Sequence, residues 1–175
     1  MLKKIALALV LFLGALLIFA AMRPDSFRVE RSISIKAPPE KVYALIDDFH
    51  RWQAWSPWEK LDPAMKRTHG GPPSGVGATY AWQGNDQVGE GRMEITEAVP
   101  ASNVTIKLDF IKPFEAHNIA QFALKGEGGS TNVTWAMHGP SPFLTKLMNV
   151  FISMDSLVGK DFETGLANMK AAAER

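Results

Sequence analysis

The stretch IKAPPEKVYALIDDFHRWQAWSPW, residues 35–58, holds a strand end, a helix and a run of large aromatic rings in direct succession. Ala37-Pro38-Pro39 opens the helix, because proline in the first turn forfeits no helical hydrogen bond and its φ is already set. Glu40 follows where a negative charge favours the positive helix end. Val42, Leu45, Ile46 and Phe49 recur at spacings of three and four and predict one apolar stripe. Trp52, Trp55 and Trp58 then come three apart, each combining a large apolar area with a single N–H donor. Such a segment needs a broad apolar surface to rest on, and the flanking chain predicts one.

Before it, Phe27 to Lys36 alternates: Phe27, Val29, Ile33 and Ile35 share one face, opposite Arg28, Glu30, Ser32 and Lys36. After it, Gly70-Gly71-Pro72-Pro73 and Gly75-Val76-Gly77 are turn chemistry, and the chain reads as strand for most of the next half. Tyr80 and Trp82 share a face in Ala78–Gln83, as do Met93 and Ile95 in Val88–Ala98, and Val104, Ile106, Leu108 and Phe110 in Asn103–Lys112. Phe114–Lys125 and Thr131–His138 read as a hairpin closed by Gly126-Glu127-Gly128-Gly129.

The chain then predicts one long helix, roughly Pro142 to Ala173. Its stripe runs through Phe143, Leu147, Val150, Phe151, Met154, Val158, Phe162, Leu166 and Met169, with Gly159 and Gly165 inside it. The class is therefore α+β. An antiparallel sheet with one apolar face must be covered, and the C-terminal helix is the one element long enough to cover it. A curved sheet gripping a single helix leaves a space between them unless side chains fill it.

Residues 1–26 stand apart from this domain of 27–175. Ile5 to Met22 contains no charge and no proline. At ~1.5 Å per residue it spans roughly 27 Å, close to the ~30 Å hydrocarbon core. Lys3 and Lys4 precede it, so the positive-inside rule predicts a cytoplasmic N-terminus and a domain on the outer side, periplasmic or extracellular. An uncleaved anchor is favoured over a cleaved signal, because Ile18 and Phe19 spoil the small-x-small pattern before Ala20 and Ala21. A buried core helix is disfavoured by the lack of any polar face.

Composition removes several function classes. There is no Cys, which excludes disulfides, thiol nucleophiles and Cys-based metal sites. With Lys3, Lys4, Arg23 and Asp25 set aside, residues 27–175 carry 16 basic and 17 acidic residues, so no nucleic-acid partner is expected. Gly75-Val76-Gly77 lacks the third glycine and following helix of a dinucleotide motif. Asp47 and Asp48 are adjacent and do not face each other. Arg92 between Glu90 and Glu94 reads as an exposed ion-pair row. His117 and His138 fall on one hairpin face, directly opposite if paired positions sum to 255 and staggered if they sum to 257, but that face looks outward and supplies no third ligand. No metal, cofactor or catalytic constellation is predicted, and nothing in the sequence sets an oligomeric state.

Several motifs together resemble the START-like, helix-grip superfamily that includes the polyketide cyclase/dehydrase and lipid-transport (SRPBCC) group. They are Ile35–Asp48, Trp52–Trp58, Gly75–Ala78, Gly89–Ile95 and Gly129–Trp135, and the resemblance covers essentially all of residues 27–175. It implies a hydrophobic cavity between sheet and C-terminal helix that takes lipids, sterols or aromatic polyketides; some members catalyse cyclisation or hydrolysis. The residues expected to line it are Trp52, Trp55, Trp58, Tyr80, Trp82, Leu108, Phe110, Asn118, Phe122, Trp135 and Met137, with Phe151, Met154 and Phe162 from the helix. Asn118 stands out, since a buried amide needs a partner. The first expectation is a membrane-tethered binding module for a hydrophobic small molecule or lipid. The alternatives are a cyclase- or hydrolase-type enzyme using the same cavity, and a filled-core structural or interaction domain.

Overall fold

The computed structural model describes residues Met1–Arg175. Helix α1 spans Leu2–Ala21, followed by strand β1 (Ser26–Ile35), helix α2 (Pro39–Ile46) and two 3-10 helical turns, Phe49–Ala54 and Pro57–Lys60. Strands β2 (Lys66–Gly70), β3 (Thr79–Gln83), β4 (Glu90–Val99), β5 (Asn103–Lys112), β6 (Ala116–Glu127) and β7 (Ser130–Pro140) come next, then helices α3 (Phe143–Met148) and α4 (Met154–Ala173). The seven strands form one antiparallel sheet in the order β1-β7-β6-β5-β4-β3-β2. This is the expected α+β helix-grip architecture.

Strand alternation sets the inward face, with register shifts in β4 after Glu90 and after Ile95. Val29, Ile35, Tyr80, Met93, Ile95, Val104, Ile106, Phe122, Val133 and Trp135 are buried on the concave face, which α2, the aromatic turns and α4 cover. The tryptophan segment is tied to α2 by more than packing. Trp52 Nε1 donates to the Ile46 carbonyl at 2.9 Å and Trp55 Nε1 to the Leu45 carbonyl at 2.8 Å. These are among the last carbonyls of α2, which have no partner within the helix. The two indoles therefore finish the helix and plug the sheet at once.

The long C-terminal helix is broken. Ser153 adopts an extended backbone, and its hydroxyl accepts from the Ser156 amide at 3.1 Å, with Asp155 in the first turn of α4. That is a helix start inside an apolar repeat that otherwise reads as continuous. α3 ends at Met148, and Phe151 lies in the connecting turn, 71 % exposed, rather than on an inward stripe. The hairpin between β6 and β7 is also tighter than expected. Its loop is Gly128-Gly129, both at positive φ, and the register pairs Glu127 with Ser130 and Ile119 with His138. His117 and His138 are therefore staggered, and His117 Nδ1 meets Asp109 at 2.8 Å instead. Arg92 likewise reaches across the sheet to Asp109 at 3.0 Å rather than joining its own strand's glutamates.

Two contacts set α4 on the sheet. Arg31 of β1 bonds both Asp155 and Glu163 of α4 at 2.8 Å. Trp135 stacks on Phe162 of α4 with centroids 4.1 Å apart and planes 7° apart, and on its cross-strand neighbour Phe122 at 5.0 Å. Gly165, one turn on from Phe162, leaves the room this stack needs: a Cβ there would lie 2.8 Å from the Trp135 ring and 3.2 Å from Pro57. Gly165→Ala gains about 1 kcal/mol of helix propensity, but overpacking a ring held on both faces costs about 1–3 kcal/mol. A net loss of stability is expected on chemical unfolding in detergent, whereas Thr164→Ala on the exposed side leaves the midpoint nearly unchanged. A stabilised Gly165→Ala protein would show that the stack is looser than described.

Candidate functional site

α4 covers the β1–β7 side of the concave face, and the β3–β5 side is left partly open beneath the aromatic turns. The result is a cavity of about 240 Å³ whose lining is mostly apolar, 14 hydrophobic residues of 21. Trp82 and Phe110 form one wall, with ring centroids 5.9 Å apart at 83°. Trp82 lies across Gly91, its partner in the register, where a Cβ would come within 2.4 Å of the indole; its Nε1 donates to the Val88 carbonyl at 2.9 Å. The glycine lets a large ring lie flat against β4, and the hydrogen bond fixes the β3–β4 loop at the rim. Met93, Leu108, Ala120 and Met137 form the floor, and Trp52, Trp58, Trp135, Val158 and Phe162 close the side under α4.

The opening is marked by the lining residues that reach solvent: Asp86 and Gln87 in the β3–β4 loop, and Lys112 and Pro113 at the β5–β6 loop. In this register Ser26 lies opposite Pro140, Phe110 opposite Ala116, and Gln83 and Lys112 both opposite Glu90. The cavity therefore opens at the end of the sheet where α1 joins β1.

Of the residues expected to line the cavity, the structure places Trp52, Trp58, Tyr80, Trp82, Leu108, Phe110, Trp135, Met137 and Phe162 on its wall. Trp55 and Phe122 are fully buried in the solid part of the core, packed edge-to-face at 5.9 Å. Met154 is half-buried against the core at the start of α4, off the wall. Asn118 is buried but faces Gly139, its partner position on β7, beside His117 and away from the cavity. Trp135, whose ring lines the cavity, also holds an Nε1 that is fully buried and has no partner.

The wall also holds a polar cluster that strand alternation does not reveal. Glu59, in the second 3-10 turn, is buried and accepts from the Tyr80 hydroxyl at 2.6 Å and from Arg67 Nε at 2.7 Å. Arg67 also donates to the Met65 carbonyl at 2.7 Å. Glu59 follows Trp58 directly, and the signal that could have found it is that a charge next to a ring destined for the core must itself be paired. Burial first, and then the Glu59 carboxylate that accepts its hydrogen bond, push the Tyr80 phenol above its usual range. His69 stacks on His50 at 4.1 Å behind this cluster, and burial lowers its pKa.

A family model for polyketide cyclase / dehydrase and lipid transport matches residues 26–174. The chain belongs to that family. A comparison with curated proteins gives no match. Among solved structures, the family member described here is similar to a solution structure from Thermobifida fusca (20 % identity, 83 % of this chain and 92 % of that chain, TM-score 0.63). It is also similar to the Aha1 dimer from Colwellia psychrerythraea (20 % identity, 85 % and 96 %, TM-score 0.59). Ginseng major latex-like protein 151 from Panax ginseng is a third (14 % identity, 87 % and 100 %, TM-score 0.59). At these identities the likeness is one of fold.

The pH dependence of the cluster follows from its sign. A phenol whose folded pKa is raised contributes stability that is fully present below its unfolded pKa, ~10, and is lost as pH rises toward the folded value. Wild-type stability is expected to fall above about pH 10, and Tyr80→Phe to remove that part of the slope. Tyr80→Phe itself costs about 1.5–3 kcal/mol near pH 7, the worth of a hydrogen bond to a charged group. Unfolding curves of both proteins between pH 7 and 11 check this, and parallel slopes would separate Tyr80 from the alkaline loss.

Proposed function

We propose that this family member is a membrane-tethered binding module that holds a hydrophobic small molecule or single-chain amphiphile in the cavity of residues 27–175. The observation that carries the reading is the cavity itself: mostly apolar walls and an opening at the end of the sheet where α1 joins β1. Its volume lies just below the ~300–1,000 Å³ of drug-sized pockets, which favours one ring system or one acyl chain over a lipid with two chains. Apolar walls supply affinity, and a few polar groups set orientation. The polar rim at Asp86, Gln87 and Lys112 is suited to that second task.

α1 supports the tethering. It is a single helix long and apolar enough to cross a membrane, and its side chains are exposed along nearly its whole length, unlike those of a core helix. In this reading residues 1–26 anchor the chain, with Lys3 and Lys4 on the cytoplasmic side and the domain on the other.

The enzyme alternative has one observation in its favour, the carboxylate of Glu59 in the cavity wall. Both its oxygens are already engaged, by Tyr80 and Arg67. Neither oxygen is left free to meet a guest, so binding without covalent chemistry is the better fit.

Native mass spectrometry of the full chain, released from detergent or nanodiscs, tests the reading. A removable added mass of a few hundred daltons is expected. Ala120→Phe, which fills the floor from a buried position on β6, should abolish it while the near-ultraviolet circular dichroism stays native. A wild-type chain that stays bare after incubation with a fatty-acid and isoprenoid mixture would reject the binding module.

A further inference from the structure

Six of the domain's exposed large apolar side chains gather at the cavity end. Leu144 and Phe143 of α3, Met148 at its end, Phe151 and Ile152 in the following turn and Phe114 in the β5–β6 loop are all at least half exposed. Phe151 and Phe114 are the extremes, at 71 and 72 %. From Leu147 to Ile152 the chain carries no charge. A patch of this size and composition on a soluble surface marks a contact surface.

Its position points to the occupant. α1 packs against α3, and Leu16 and Ala20, one turn apart, are the shielded residues near the end of α1. Asp25, in the short link from α1 to β1, bonds the largely buried Lys146 of α3, and its carbonyl accepts from the Ser141 amide at 2.7 Å. α3 is thus fixed beside the last two turns of α1, at a depth where the hydrocarbon around α1 also reaches the outward face of α3. An in-plane helix buries its apolar face about 5–10 Å into the headgroup and acyl boundary, which matches the last turns of a span-length helix.

We infer that α3, the turn after it and Phe114 form a platform that inserts into the outer leaflet of the bilayer around the mouth of the cavity, so that the cavity opens into lipid rather than into water. The inference rests on α1 being the membrane span, and goes beyond it by assigning the bilayer as the partner of a second, separate surface.

Because the chain has no Cys, single cysteines report position without background. Phe12→Cys, Phe114→Cys, Leu144→Cys, Phe151→Cys and Glu127→Cys, each in the full chain, are labelled with an environment-sensitive fluorophore and reconstituted in phosphatidylcholine vesicles. Quenching by nitroxides on the lipid acyl chains is then read. Labels at 12, 114, 144 and 151 are expected to be quenched several-fold more than the label at 127, which marks the opposite end of the sheet. In a Leu144→Asp, Phe151→Asp background the label at 114 is expected to lose most of its quenching while the label at 12 keeps it. Strong quenching at 12 with only background quenching at 114, 144 and 151 overturns the platform and leaves the anchor standing. Background quenching at 12 as well overturns both. Labels that are shielded from water, unquenched by lipid and able to cross-link between chains assign the patch to a second copy and overturn the bilayer as its occupant. Native mass spectrometry of the cavity ligand is independent of all three outcomes.

Discussion

Everything above the sheet depends on one sandwich of rings. Trp135 lies between Phe122, beside it on β6, and Phe162, above it on α4. Flat stacking on both faces sets how high α4 rides over the strands, and Gly165 lets the helix descend to that height. Trp55 and Trp58 then meet the edge of the same indole at 5.4 and 5.8 Å. The core under α4 is consequently solid around Phe122 and Trp135. The helix cannot also lie low over β3 to β5, and the cavity is the volume it leaves there. The void follows from geometry, because one helix of this length is too narrow for a curved sheet of seven strands.

The cavity wall mixes two kinds of group with opposite demands. Rings and methyl groups need no hydrogen-bond partner there. Glu59 and Arg67 would be costly there if unpaired, and the structure spends Tyr80 and the Met65 carbonyl on satisfying them. That arrangement stiffens the hinge between the aromatic turns and the β2–β3 edge. It leaves neither of these charges unpaired.

Much of this was legible in the sequence. Strand alternation, the tryptophan spacing and the helical stripes located the concave face, the first helix and nine of the residues on the cavity wall, because each signal is local and periodic. Misplaced residues mark where periodicity stops being informative. Phe151 continues an apolar repeat that Ser153 interrupts by capping a new helix. Asn118 has the right face, but its amide lies against Gly139 of the neighbouring strand instead of reaching the void. Trp55 and Phe122 point inward as expected, yet inward is solid there, and which part of a concave face is filled depends on the height of α4. Glu59 and Asp86 lie in turns and Lys112 is the last residue of its strand, where no period reveals which side they face. The pairing of Arg92 and His117 with Asp109 depends on register across three strands, information that no single segment contains.

The link between α1 and β1 is only residues 22–25, and Asp25 is already bonded to Lys146 and Ser141. Even fully extended, so few residues reach roughly 15 Å. A domain on so short a leash cannot ferry cargo across a gap between two membranes or out to a distant acceptor. In the proposed arrangement it works as a fixed station: its guest arrives by lateral diffusion in one leaflet and must be collected by something that comes to it. The search for its cargo is then two-dimensional, and the number of occupied sites responds to the mole fraction of guest in the membrane instead of to its concentration in water.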